Sequence, residues 1–113
     1  MLFTNKGVST IGFFYRIYMF CVYVIYSEKL NRFYIGTTDN FENRLKQHNV
    51  AEFSDAFTIR GIPWTKYLLI ENLGSHQAYA IENHIKRMKS KKYIENMRIY
   101  PDMIQNLIQK YRS

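Results

Sequence analysis

The sequence predicts an α/β domain of the α+β type: a small, mainly antiparallel three-stranded sheet flanked by helices, ordered β-β-α-β-α with a further C-terminal helix. Three observations carry this. Two runs rich in β-branched and aromatic residues, 22–27 (Val-Tyr-Val-Ile-Tyr-Ser) and 33–39 (Phe-Tyr-Ile-Gly-Thr-Thr-Asp), flank the short polar stretch 28–32, as a hairpin would. After Asp39 the apolar spacing changes to a helical one. A third apolar run, 64–71, is followed by another helical pattern. At 113 residues the chain is long enough for one real core and too short for two.

The apolar stretch 11–27 is interrupted by Arg16, leaving 11 uncharged residues where a membrane span needs about 20. No small-residue cleavage site follows it, so its second half reads as a strand rather than a signal peptide or an anchor. Residues 20–26, 33–37 and 66–71 are the expected sheet core. If the hairpin turn centres near residues 28 and 29, Tyr23 and Tyr34 become cross-strand partners on one face.

The first helix opens at Asp39 as N-cap, with Glu42 at capping-box spacing. Phe41, Arg44, Leu45 and His48 fall on one side of it. The apolar pair should face the sheet, which carries a guanidinium and an imidazole toward the core. Such a breach of binary patterning tends to mark a functional site; the bland alternative is that both snorkel from the stripe's edge to water.

Residues 50–63 read as irregular, held down by Phe53 and Phe57, and 64–71 as the third strand. Ser75 is the expected N-cap of a second helix running to about Ser90, with Ala78, Ile81, Ile85 and Met88 as its apolar stripe. Glu82 lies at the edge of that stripe near Lys89, and His84 on the opposite, surface side. Residues 93–99 continue as helix or turn until Pro101. Asp102 then caps a last helix whose apolar face (Met103, Ile104, Leu107, Ile108, Tyr111) packs on the domain or on a second copy.

Sixteen basic against nine acidic residues give a charge of +7 and favour a polyanionic partner, nucleic acid ahead of a membrane. Hydrophobic content of 47% excludes a disordered tail. Lys86, Arg87, Lys89, Lys91 and Lys92 concentrate five cations within seven residues, either a solubilising helix end or a phosphate-tracking patch. Cys21 is the only cysteine, so no internal disulfide can form, and the sequence shows no zinc-type cluster. A reducing, cytoplasmic setting and a small buried strand residue are the matching expectations.

Tyr34-Ile35-Gly36, preceded by Cys21-Val22-Tyr23 and followed by Arg44, His48 and Glu82, resembles the GIY-YIG nuclease superfamily, especially its small stand-alone bacterial members. Cys21-Val22-Tyr23 stands where Gly-Ile-Tyr would be and keeps only the tyrosine, whereas the second motif is intact. The resemblance spans residues 19–95, with 1–18 as an extension and 96–113 as a C-terminal helical addition packed on the domain.

What it implies is a metal-dependent endonuclease cutting DNA phosphodiesters, with RNA left open and a setting such as DNA repair or recombination. Glu82 would ligate Mg²⁺ or Mn²⁺; one carboxylate with waters suits Mg²⁺. Tyr23 would serve as general base or proton relay, Tyr34 would assist positioning, Arg44 would clamp the scissile phosphate and His48 would share a proton or hold the phosphate. An unperturbed tyrosine (pKa about 10) is a poor base, and Arg44 and His48 are expected to lower that value. Gly36 would allow close approach to the strand. Lys46 and the Lys86–Lys92 patch would hold flanking backbone without reading sequence, leaving structure selectivity or a partner protein to supply targeting, with a homodimer left open. The alternative is a non-catalytic nucleic-acid-binding module on the same scaffold.

Overall fold

β1 (Phe20–Ser27) is the middle strand of an antiparallel sheet of order β2-β1-β3, with β2 (Arg32–Thr38) and β3 (Trp64–Leu73) as its edges. The computed structural model describes residues 19–51 and 55–112; the expected N-terminal extension and Phe53 lie outside them. The helices are α1 (Phe41–His48), α2 (Ala56–Gly61), α3 (Ser75–Met88), α4 (Lys91–Ile99) and α5 (Pro101–Lys110). The expected α+β architecture is therefore present. It gains a short helix between α1 and β3, and two helices rather than one follow α3.

Cys21 to Ile25 are all buried because β1 has protein on both faces, which is why it reads as an unbroken apolar run. Val22 and Val24 join Ile70, Ile81, Ile85, Ile94 and Leu107 in a core beneath α3, α4 and α5. Cys21, Tyr23 and Ile25 face the other way, into a second core with Phe41 and Trp64. Burial, reinforced by the charge of Glu71, pushes the Cys21 thiol up to about 11, so it is a packing residue and not a nucleophile.

The hairpin register differs from the expected one by two residues: Tyr23 faces Gly36, and Tyr34 faces Ile25. The pairing extends to Ser27 opposite Arg32, leaving a four-residue loop in which Asn31 adopts a left-handed φ of 54°. The Tyr26 hydroxyl donates to the Asn31 side-chain oxygen at 2.6 Å and holds that loop. A shift of two keeps every side chain on its own face of the pleat. Tyr23 and Tyr34 thus remain on one side, as diagonal neighbours instead of direct partners.

Several helix ends move by one residue. Asn40 caps α1, accepting from the Asn43 N–H at 3.0 Å, in place of Asp39. Gly74 rather than Ser75 precedes α3. Lys89 takes a left-handed φ of 48° and ends α3, so Met88 is left 45% exposed instead of completing the stripe. Ser90 accepts from the Tyr93 N–H at 3.0 Å and starts α4. Pro101 occupies the first turn of α5, where its missing N–H costs nothing, and Asp102 lies inside that turn.

α5 docks on α3. The Gln77 amide donates to the Ile108 carbonyl at 2.9 Å, and His84 Nδ1 meets the Tyr111 hydroxyl at 2.8 Å. His84 is accordingly half-buried and not the plain surface residue expected. Among the described residues no helix is long and apolar enough to cross a membrane.

The expected irregular stretch contains α2, too short at six residues to show a helical period. Asp55 caps it, accepting from the Thr58 N–H at 2.8 Å. The Trp64 indole N–H donates to the Thr58 carbonyl at 2.8 Å. A Cβ on Gly61 would come within 2.7 Å of the indole, so glycine lets α2 lie against that ring. The Asn49 amide then behaves as a missing strand: its oxygen accepts from the Trp64 N–H at 2.6 Å, and its NH₂ donates to the Trp64 carbonyl at 3.0 Å. Asn49→Ala should therefore lower unfolding free energy by about 1–3 kcal/mol, read as an earlier urea midpoint with an unchanged m-value.

Candidate active site

The site begins with Tyr23, 1% exposed at the centre of β1. Its cross-strand neighbour is Gly36, and a Cβ there would overlap the phenol ring, meeting Cε2 at 2.8 Å and its outer atoms more closely still. Gly36 therefore provides the slot in which the ring lies. The expected close approach is real, but the group that makes it is Tyr23. From that slot the hydroxyl reaches α1, where His48 Nε2 is 2.9 Å away and the Arg44 Nε–H donates to it at 3.4 Å. Arg44 also donates through Nη1 to Gln47 Oε1 at 3.1 Å.

Both core-facing polar residues of α1 thus converge on one phenol. His48 is buried, 5% exposed, so the snorkelling alternative does not hold for it. Tyr34 completes the cluster: its ring is nearly parallel to Tyr23 (centroids 6.4 Å apart, 15° between planes) and 4.7 Å from the His48 ring. Trp64 meets Tyr34 edge-on at 6.1 Å.

The electrostatics differ from the sequence expectation in one respect. Burial raises the Tyr23 pKa above its ordinary value of 10.0, outweighing the opposing hydrogen bond and charge of Arg44. Desolvation penalises the phenolate more than one partly solvated guanidinium relieves it. Burial also lowers His48 below the ordinary 6.5, with the Arg44 charge acting in the same direction. The resting pair is thus a neutral phenol and a neutral imidazole. The Tyr23 hydroxyl thus lies between the Arg44 Nε–H, which donates to it, and His48 Nε2, a hydrogen-bonded path for one proton in the tautomer that leaves Nε2 unprotonated.

Glu82 approaches from the other side of the sheet. Thr37 follows Gly36 and points to the α3 face, where its hydroxyl donates to Glu82 Oε1 at 2.6 Å. The second carboxylate oxygen pairs with Lys86 Nζ at 2.6 Å, one helical turn on, and the carboxylate side chain is only 13% exposed. Its charge is among those that act on Tyr23. The two half-sites therefore meet around Gly36–Thr37 on the edge strand β2.

Thr37 is absent from the sequence-derived set. The available signal was its place beside Gly36 with opposite pleat parity, which presents it to the helix carrying Glu82. The basic residues scatter more than the sequence suggests. Lys86, Lys89 and Lys91 line a common groove, while Arg87 reaches toward the Tyr111 hydroxyl at 3.5 Å. Lys92 and, on α1, Lys46 are exposed.

The family model described as the GIY-YIG catalytic domain matches residues 19–94 of this chain. The chain belongs to the GIY-YIG family. No curated protein and no solved structure matches it. GIY-YIG membership supports a nuclease-type function with DNA as partner, and members of the family generally depend on a divalent metal.

Among the described residues no group of three or more His, Cys, Asp and Glu side chains could enclose an ion. The candidate site nonetheless fits a hydrated one. Its single acidic group is a largely buried carboxylate that already holds an ammonium at 2.6 Å, and Mg²⁺ accepts one or two carboxylates with water completing its shell.

Two outcomes follow from this geometry. Gly36→Ala should cost about 1–3 kcal/mol by overpacking against Tyr23, read as a lower Tm. Because His48 titrates below 6.5 in the folded chain, the unfolded chain binds its proton first as pH falls. The stability due to neutral His48 is complete above 6.5 and is lost as pH drops toward its depressed value. His84 is lowered too, by burial first, so His48→Gln should remove part of the acid-side loss in Tm and not all of it.

Proposed function

We propose that this chain is a metal-dependent endonuclease that hydrolyses DNA phosphodiester bonds with little intrinsic sequence specificity. The observation that carries this reading is the buried relay from Arg44 through the Tyr23 hydroxyl to His48. A structural tyrosine needs one hydrogen-bond partner. This one has a cation on one side and a neutral proton acceptor on the other, at the edge of the sheet where Glu82 also arrives.

In the reaction the Tyr23 oxygen takes a proton from the attacking water as its own proton passes to His48 Nε2. The phenol relays the proton without a free phenolate accumulating, which suits its raised pKa. Arg44 neutralises charge on the phosphoryl oxygens, a task matched to its planar fork. Tyr34, stacked on Tyr23 and tilted against His48, fixes both rings. Glu82 is the residue that would hold Mg²⁺ or Mn²⁺; when bound, the ion supplies charge neutralisation at the phosphate. Thr37 orients the carboxylate, as outer-shell groups do in metal sites. The surrounding cations touch phosphates and not base edges, so specificity is low.

The test is cleavage of linear, nicked, branched and single-stranded DNA with Mg²⁺ or Mn²⁺. Tyr23→Phe should lower kcat by about 10²–10⁴-fold, the usual contribution of a positioned proton-transfer group, and Glu82→Ala should abolish cutting, as should EDTA. Binding without cutting under any metal, or equal cutting by these variants, would overturn the reading in favour of a binding module. Since Lys86 occupies the Glu82 carboxylate, Lys86→Met should tighten Mn²⁺ binding in the absence of DNA, measured by titration calorimetry.

A further inference from the structure

A cavity of about 550 Å³ lies along β2, between that edge strand and the α3–α4 junction. Its rim carries Arg32, Lys86, Lys89 and Lys91, with no acidic residue lining it, and its floor presents the partly buried Phe33 and Ile35 above the buried Ile85 and Ile94. Lys86 ties one end to Glu82. At the other, Lys91 Nζ donates to the Asn31 carbonyl of the hairpin turn at 2.6 Å. The groove thus runs from the candidate metal ligand to the hairpin loop. Among the described residues, Arg32 and Lys89 have no ion-pair or hydrogen-bond partner for their charges.

We infer that this groove holds an unpaired nucleotide of the substrate strand, its phosphates on Arg32 and Lys89 and its base on the floor at Phe33 and Ile35. The inference rests on the nuclease reading above and extends it to a strand-binding site that includes Arg32 and Phe33, neither of which belongs to the catalytic set.

Charge complementarity selects an anion, and the floor selects what the anion carries. Duplex backbone offers sugar and phosphate but keeps its bases stacked away, so an apolar floor would gain nothing from it. An unpaired base has an open apolar face, and cations beside aromatic or aliphatic surface are how single strands are held. The volume falls in the range of small-ligand sites, about 300–1,000 Å³. Phe33 is held in place by Tyr26 and Tyr67, with ring centroids at 5.1 and 4.8 Å, so the floor is formed before binding.

Fluorescence anisotropy in EDTA, on the full chain, tests this without any cleavage. The probes are an oligothymidylate, a base-free deoxyribose-phosphate strand of equal length, and a blunt duplex. The variant is Arg32→Ala with Lys89→Gly; glycine suits the left-handed φ of Lys89, and thermal melts confirm that the fold is intact. The double variant should bind oligothymidylate at least tenfold more weakly, with the salt slope reduced by about 1.4 for two lost phosphate contacts. Its loss on the duplex should be threefold or less, and wild type should prefer oligothymidylate to the base-free strand by at least fivefold. Equal losses on single strand and duplex would reduce the groove to general electrostatics and overturn the inference. So would equal wild-type affinity for the base-free strand. Absence of cleavage with any metal, beside an intact single-strand preference, would sink the nuclease reading and leave the groove standing.

Discussion

The ring of Tyr23 occupies the space above Gly36 in the neighbouring strand, and that contact fixes where everything else in the site must be. β1 is central and covered on both faces, so a tyrosine at position 23 has no route to water except along the sheet toward an edge. Because Gly36 has no side chain, the ring crosses β2 and its hydroxyl emerges beside α1. Arg44 and His48, one helical turn apart, then reach the same oxygen. A side chain at position 36 would close the slot and separate the two elements.

Burial also sets the chemistry. A buried phenol beside an arginine is subject to opposed effects, and here desolvation outweighs the cation, so Tyr23 holds its proton at neutral pH. The same burial keeps His48 neutral and able to accept. A neutral donor beside a neutral acceptor can move one proton without creating an isolated buried charge at rest, which would be costly in this setting. Arg44 is the exposed member of the three and therefore the one placed to meet an incoming phosphate.

The edge strand β2 contributes to the candidate site on both its faces. Gly36 serves the α1 side and Thr37 the α3 side, so Glu82 and Tyr23 approach one stretch of backbone from opposite layers. Lys86 belongs to both halves of this arrangement, as partner of the Glu82 carboxylate and as part of the basic rim. A metal would therefore compete with that ammonium for Glu82 while nucleic acid would draw on it, a coupling that only the shared edge makes available.

The sheet, the helices on both sides of it and the inward turn of Arg44 and His48 were legible in the sequence because they rest on local signals. Strand runs, helical spacing and two polar residues on a core-facing stripe depend only on nearest neighbours along the chain. What the sequence left open depended on distant packing. The hairpin register turned on a left-handed Asn31, α2 on the indole of Trp64, and the role of Gly36 on a ring in another strand. The direction of the Tyr23 shift needed the depth of its burial, and the part played by Thr37 needed the position of a helix 45 residues on. The residue types able to do the chemistry were thus present in the one-dimensional text, whereas which atoms meet, and in which protonation state, was decided by tertiary structure alone, because desolvation and cross-layer contact have no local signature.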